Sequence, residues 1–392
     1  MAGLVALAAA LLVACGQQRP VTPAGASRPT ATPREVAERP LPTPETRSAL
    51  LPTPLATVSP SIRITKVAEG LFLPANLTFL PDGRLLFAEV QKGELRVMDA
   101  KGQLDPEPWA RITDIANFKE QGILGLTIDP DFTTNRYVYA FYTKVDGDKG
   151  VARDNRIIRF TERNGRGTDM TKIKDDLPSG KCCHNGGRIA FGPDKKLYVT
   201  IGDQNDSSAA QKPGRLYGKI LRLNADGSTP SDNPFARASD YRPEIFALGF
   251  RNPWGLAFHP ATGVMYVTEN GEVGDDEVNR VVAGGNYGNG EVDGMARDPR
   301  FVDPLYDSGV ARLGPTGAAF YTGSAMAEYK NDFFFCAFNT GDLTRIKLGG
   351  ADLDRVDVME VVAKDDCRID VANAPDGSLY FSSITGIFRF GR

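Results

Sequence analysis

The sequence predicts an all-β protein: a six-bladed β-propeller of four-stranded antiparallel blades around a central channel. Three observations point there. One phrase returns six times after Ser61: an apolar stretch, a turn of the Pro-Asp-Gly type, a short aromatic or β-branched strand, then a glycine and another alternating strand. Each unit alternates with a period of two, which sends successive side chains to opposite faces of a strand, and helical periodicity is nearly absent. The units run to roughly 40 to 60 residues, the size of a small sheet that buries its faces only by packing on its neighbours. Two packed β-sandwiches would not repeat the same phrase six times.

Ahead of the repeats lie two segments of different character. Residues 1–15, "MAGLVALAAALLVAC", are an apolar run too short to span a bilayer, and they read as an export signal. Its end, Leu12-Val13-Ala14-Cys15, resembles a bacterial lipobox, which would make Cys15 a lipidated residue holding an aqueous body at a membrane surface. Residues 16–61 are rich in Pro, Thr, Ala and Arg, with too little apolar patterning to offset the entropy of ordering; they read as a tether. The expected location is therefore outside the cytoplasm, in the periplasm or on a bacterial cell surface, with membrane contact through the lipid alone.

Residues 62–392 carry the six units. They are "ANLTFLPDGRLLFAEVQKGELRVMD", "GILGLTIDPDFTTNRYVYAFYTK" with "NRIIRFT", and "GRIAFGPDKKLYVTIGD" with "GKILRLN". They continue as "WGLAFHPATGVMYVTENG" with "EVNRVV", "TGAAFYTG" with "DFFFCAFNTGDLTRIKL", and "DVANAPDGSLYFSSITGIFRF". Pro, Asp and Gly supply the dihedrals of tight turns between antiparallel strands. In this architecture the residues just before each innermost strand ring one end of the channel. Those positions hold Glu120, His184, Arg251, Asn252, Thr316 and Asp370, a largely polar set of the kind that lines a ligand site.

Charge excludes one class of partner. The formal charge is -3 and no block of Lys or Arg occurs, so the cationic surface that nucleic acid requires is missing.

His184 is one of two histidines, and an imidazole is the side chain whose ordinary pKa allows reversible proton exchange near neutrality. It stands at a strand entrance, flanked by Cys183 and by glycines two residues on, which suits a base better than a core residue. Asp203, ending "TIGD", either orients that imidazole or caps a turn. His259 falls in a turn between strands.

The motifs "QGILGLTIDPDF", "HNGGRIAFGPDKKLYVTIGDQ", "GKILRLNADGSTPSDNPF", "LGFRNPWGLAFHP" and "DDEVNRVVAGGNYG" carry a resemblance to the soluble glucose dehydrogenase and aldose sugar dehydrogenase family, also called the sorbosone dehydrogenase family. The resemblance covers about Ile62 to Arg392. It implies a six-bladed propeller that binds pyrroloquinoline quinone (PQQ) and calcium and oxidises the C1 hydroxyl of aldose sugars to lactones, passing electrons to an unknown acceptor. It also implies His184 as the base, Glu120, Arg251 and Asn252 at the cofactor, and the carbonyls of Asn270, Gly271 and Glu272 around calcium, a hard cation that prefers oxygen.

Three kinds of departure from the family pattern stand out. Glu120 replaces a neutral glutamine, and Cys183 replaces an aspartate. The lysine and arginines that hold the PQQ carboxylates are absent, with Thr322, Asn339 and Thr340 in that region. Unpaired buried charge is costly, so Arg188, Arg345 and Arg368 are the candidates to replace them. A non-catalytic propeller that has lost PQQ and binds carbohydrate or protein is the rival reading; a calcium-dependent lactone hydrolase is a third.

Apart from Cys15 the chain has four cysteines, and an even number in an exported protein favours disulfides. The expectation is at least one inter-blade bond from Cys182 or Cys183 to Cys336 or Cys367. A soft-metal site of these cysteines with His184 is the alternative, though adjacent cysteines chelate one ion poorly.

Overall fold

The computed structural model describes residues 58–147 and 151–392. The expected signal segment, Cys15 and nearly all of the tether lie outside these residues.

The described chain forms six four-stranded antiparallel sheets. It opens on β1 (Arg63–Glu69). Blade one follows with β2 (Pro74–Phe79), β3 (Leu85–Glu89), β4 (Glu94–Met98) and β5 (Ala110–Arg111). Blade two has β6 (Ile123–Ile128), β7 (Tyr137–Val145), β8 (Ala152–Arg163) and β9 (Arg166–Leu177), and blade three β10 (Gly186–Phe191), β11 (Leu197–Ile201), β12 (Lys219–Leu223) and β13 (Ile245–Leu248). Blade four comprises β14 (Pro253–Phe258), β15 (Met265–Glu269), β16 (Glu277–Val281) and β17 (Tyr306–Asp307); blade five comprises β18 (Pro315–Phe320), β19 (Phe333–Ala337), β20 (Leu343–Gly349) and β21 (Arg355–Ala363). Blade six supplies β22 (Asp370–Asn373), β23 (Leu379–Ser382) and β24 (Gly386–Gly391), and β1 completes it as the outer strand beside β24. Closing the ring with the first strand removes a free edge where the two ends of the circle meet. The sequence pattern placed six units correctly but gave residues 63–69 no role in the last one.

The repeated phrase explains the repeated shape. In its turns the fourth residue donates to the first, as in Gly83 to Leu80 (2.9 Å), Lys195 to Gly192 (2.9 Å) and Gly377 to Ala374 (3.0 Å). The aspartate at the third position accepts the backbone N–H two residues on, at Arg84, Lys196 and Ser378. The phrase's two aromatics join the blades. A tyrosine on the second strand meets, edge to face, a phenylalanine closing the first strand of the next blade. The pairs are Tyr139 with Phe191, Tyr198 with Phe258, Tyr266 with Phe320 and Tyr380 with Phe79, at centroid separations of 5.1 to 5.2 Å. Each such contact is worth about 0.5–1.5 kcal/mol beyond its buried area.

The innermost strands β2, β6, β10, β14 and β18 share a register shift near their starts. A bulge at that point re-aims the side chains at one end of the channel, hereafter the mouth. Glycine permits the close approach below it: a Cβ on Gly125 would collide with the Gly187 carbonyl, and one on Gly317 with Asp370.

Candidate active site at the channel mouth

His184 ends the loop between β9 and β10 in a left-handed conformation (φ 56°), as does Gly186 (φ 63°) two residues later. Gly202, just past β11, passes under this loop where a Cβ would strike the His184 carbonyl. The imidazole is buried. Its Nδ1 is 2.7 Å from Asp203 Oδ1. That carboxylate also accepts from the Asn205 backbone N–H (2.8 Å) and from Asn289 Nδ2 (3.1 Å). A carboxylate engaged only as acceptor requires Nδ1 to carry the proton, which leaves Nε2 as the acceptor lone pair of the ring. Asp203 is thus placed for both roles open to it, holding the imidazole and capping the turn at Asn205.

Glu120 fastens this arrangement to two other blades. Its Oε2 accepts from the His184 backbone N–H (2.8 Å) and from Asn252 Nδ2 (3.1 Å), and its own N–H donates to the Cys182 carbonyl (3.1 Å). Asn252 Oδ1 in turn accepts from Gly186 N–H (3.3 Å). Arg251 donates through Nη1 to the Asn270 carbonyl (2.9 Å), and its carbonyl accepts from Asp203 N–H (2.7 Å). Glu120, His184, Asp203, Arg251, Asn252 and Asn270 therefore form one connected set.

Blade four buries two carboxyl groups behind this set. Glu269 and Glu277 face each other across β15 and β16, both bonded to Asn279 Nδ2 (3.1 and 2.8 Å). Burial pushes the Glu269 carboxyl up to about 8, and burial followed by the charge of Glu269 pushes Glu277 well above the usual carboxylate range. Glu269 reaches the mouth through the Arg251 backbone N–H.

The six ring positions do not all face ligand. Asp370 accepts from Leu77 N–H (2.7 Å) and pairs with Arg188 (3.4 Å); Thr316 donates to the carbonyls of Cys336 and Arg368. Both are structural here. Of the three candidate cations, Arg345 is committed to Asp332 and Glu360, away from the channel. Arg188 lies in the channel, bonded to Asn76 and the Trp254 carbonyl. Arg368 sits at the mouth against the Phe338 carbonyl (2.5 Å).

A space in the channel, about 400 Å³ with open solvent included, is lined by Lys119, Glu120, Arg188, Trp254 and Ile369 among others. Sequence reasoning missed Lys119, Trp254 and Asn289; Lys119 borders the quoted motif and Asn289 follows "GNYG", and only the folded geometry brings them in. His259 occupies a turn as expected, its Nδ1 accepting from Ala261 and Thr262 N–H.

The cysteines pair differently from the expectation. Cys182 bonds to its neighbour Cys183, and Cys336 bonds to Cys367, so the inter-blade bond joins blades five and six and does not include the Cys182/Cys183 pair. Cys336 and Cys367 lie within one buried apolar cluster, with Cα atoms 4.9 Å apart; both sulfurs reach each other before either reaches blade three. With all four thiols consumed, the soft-metal alternative is set aside.

Calcium would have to rely on main-chain oxygens. Among the described residues no cluster of three His, Cys, Asp or Glu side chains is arranged to hold a metal. Asp276, in the acidic run beside Gly271, accepts from Gly271, Leu313 and Gly314 N–H groups and is thereby occupied.

A closed six-bladed ring with an Asp-oriented histidine at its mouth defines a propeller enzyme. The signature of the Glucose / Sorbosone dehydrogenase family matches residues 71–385, and the chain belongs to that family. It is 28% identical over 341 residues to aldose sugar dehydrogenase YliI of Escherichia coli, covering 82% of this chain and 89% of that one. It is 34% identical over 271 residues to quinoprotein glucose dehydrogenase B of Acinetobacter calcoaceticus, covering 62% and 55%. Among solved structures, the PQQ-bound aldose sugar dehydrogenase of Streptomyces coelicolor superposes with a TM-score of 0.73 at 26% identity, covering 85% of this chain and 99% of that one.

Proposed function

We propose that the protein is an exported, PQQ- and calcium-dependent aldose dehydrogenase that converts the C1 hydroxyl of a sugar to a lactone. The observation that carries this reading is the His184–Asp203 pair, in which the carboxylate holds Nδ1 and Nε2 is the ring nitrogen left to act as a base. Membership of a dehydrogenase family supplies the reaction class.

The donor set fits an anionic quinone better than the sequence implied. Lys119 and Arg188 line the space, and the guanidinium groups of Arg251 and Arg368 are held by the carbonyls of Asn270 and Phe338. When bound, PQQ would supply the two-electron acceptor for the sugar C1, and calcium, for which the carbonyls of Asn270, Gly271 and Glu272 are the candidate ligands, would polarise it once Arg251 Nη1 releases the Asn270 carbonyl. The chain does the rest. His184 Nε2 takes the C1 hydroxyl proton, and Asp203 stabilises the imidazolium that results and prevents the ring from turning. Glu120 and Asn252 fix the backbone under the base. Asp203 is held by Asn289 on a loop of the next blade.

Residues 62–392 act as the catalytic domain, with the segment before them serving export and attachment at Cys15; among the described residues no helix is long and apolar enough to cross a membrane. The test is addition of PQQ and calcium to the purified protein, followed by dye reduction with a panel of aldoses. Sugar-dependent reduction that disappears in His184→Ala supports the proposal; absence of PQQ binding at micromolar concentration overturns it.

A further inference from the structure

The two disulfides do different physical work. A cross-link stabilises a fold by restricting the unfolded chain, and the effect grows with the number of residues it encloses. Cys336–Cys367 spans a sequence separation of 31, whereas Cys182–Cys183 has a separation of 1 and encloses no loop. Global stability therefore gives no account of the second bond. Its effect is confined to the backbone of the two residues, whose dihedrals are restricted by a ring that contains their own peptide bond.

That backbone is the one leading into the base. The Cys182 carbonyl accepts the N–H of Glu120, the Cys183 carbonyl accepts Asn205 Nδ2 (3.4 Å), and the next residue is His184 with φ 56°. Glu120 and Asn205 are the residues whose groups hold the His184 N–H and Asp203. The disulfide thus sits between the two clamps on the imidazole. Access differs too: Cys182 is half-buried at the mouth, while Cys336 and Cys367 are 0% and 1% exposed.

We propose that Cys182–Cys183 is a reversible thiol–disulfide site that sets the position of His184, open to a dithiol reductant arriving from solvent. One thiolate of the reductant attacks the sulfur of the half-buried Cys182, breaking the S–S bond and forming a mixed disulfide while Cys183 leaves as thiolate. The second thiol of the reductant displaces Cys182 and closes the reductant's own disulfide. Two electrons and two protons pass from the dithiol to the two cysteines. Reduction frees the peptide between Cys182 and Cys183 and loosens both clamps, so the base loses its fixed orientation. The consequence for turnover rests on the dehydrogenase reading; the consequence for His184 does not.

The chain has two histidines, which makes the readout direct. Untagged full-length protein is treated with millimolar dithiothreitol, alkylated and peptide-mapped, and the imidazole resonances are recorded before and after, assigned with a His259→Gln variant. The expected result is labelling of Cys182 and Cys183 without Cys336 or Cys367, a shift of the His184 resonances while those of His259 stay in place, and return on reoxidation. A Cys182→Ser/Cys183→Ser variant should give the reduced spectrum under all conditions. With PQQ, calcium and aldose present, kcat should fall about tenfold or more on reduction. Identical His184 resonances in the oxidised and reduced protein would overturn the proposal, as would opening of Cys336–Cys367 before Cys182–Cys183. A His184 shift in a protein with no dehydrogenase activity in either state supports this site and removes only the catalytic reading.

Discussion

Glu120 Oε2 lies 2.8 Å from the backbone nitrogen of His184, a contact between residues 64 positions apart on neighbouring blades. The same oxygen takes Asn252 from a third blade. One carboxylate thereby ties together three of the six sheets at the point where the chemistry is expected.

Replacing the pair that makes up the base should separate orientation from proton transfer. His184→Ala should lower kcat by about 10²–10⁴, the usual contribution of a positioned base. Asp203→Asn keeps the shape but offers a donor where Nδ1–H needs an acceptor, so it should also cut kcat by at least about tenfold, with little change in KM. Steady-state kinetics on both variants check this.

At Glu120 charge and geometry pull in opposite directions. Glu120→Gln keeps an oxygen for the His184 and Asn252 donors while removing a negative charge from a site proposed to take a triply anionic cofactor. PQQ should bind more tightly, by about three- to tenfold at low salt, with the difference shrinking as salt screens it. Glu120→Ala removes the acceptor as well and should lower both Tm and kcat. Titration calorimetry with PQQ distinguishes the two.

The buried carboxyls of blade four predict a pH dependence. The folded-state pKa of Glu269 is raised, so between the ordinary carboxylate value and about 8 the folded protein binds more protons than the unfolded chain. Its contribution to stability is full below the unfolded value and is lost as pH rises through about 8. Tm should fall over this window, and Glu269→Gln should flatten the fall, as scanning calorimetry would show.

Arg188 is the counter-charge of a fully buried aspartate, Asp370, whose carboxyl is itself pushed up by burial. Arg188→Met leaves that carboxylate without its cation and should cost about 3–5 kcal/mol by denaturant unfolding. Arg188→Met combined with Asp370→Leu should recover much of the loss.

The Cys336–Cys367 bond should contribute about 3–4 kcal/mol through the loop it closes. A Cys336→Ser/Cys367→Ser variant should unfold several degrees lower than the parent, whereas loss of Cys182–Cys183 should move Tm little.

The sequence was most legible where a local rule repeats. Pro-Asp-Gly turns and the Tyr and Phe of each phrase depend on neighbours a few residues away, so the blades and their boundaries could be read directly. His184 and Asp203 were readable for the same reason, standing at matching ends of adjacent strands. Strand β1 was not, because its partner is more than 300 residues distant and its own alternation is polar and exposed. The cysteine pairing failed on distance: all four cysteines lie at strand ends toward the mouth, and position around the ring, which decides who meets whom, leaves no trace in local pattern. Lys119 and Asn289 escaped likewise, since their roles arise from loops of different blades converging.

The closing strand also gives the molecule a front and a back. Glu69 pairs with Gly386 at the mouth, whereas Arg63 pairs with Gly391 at the opposite end, and Val58 packs there against the cluster holding Tyr321 and Tyr329. The polypeptide therefore enters the ring from the side away from His184. The described residues ahead of β1 thus pack at the end of the ring opposite the one where His184 and Asp203 meet.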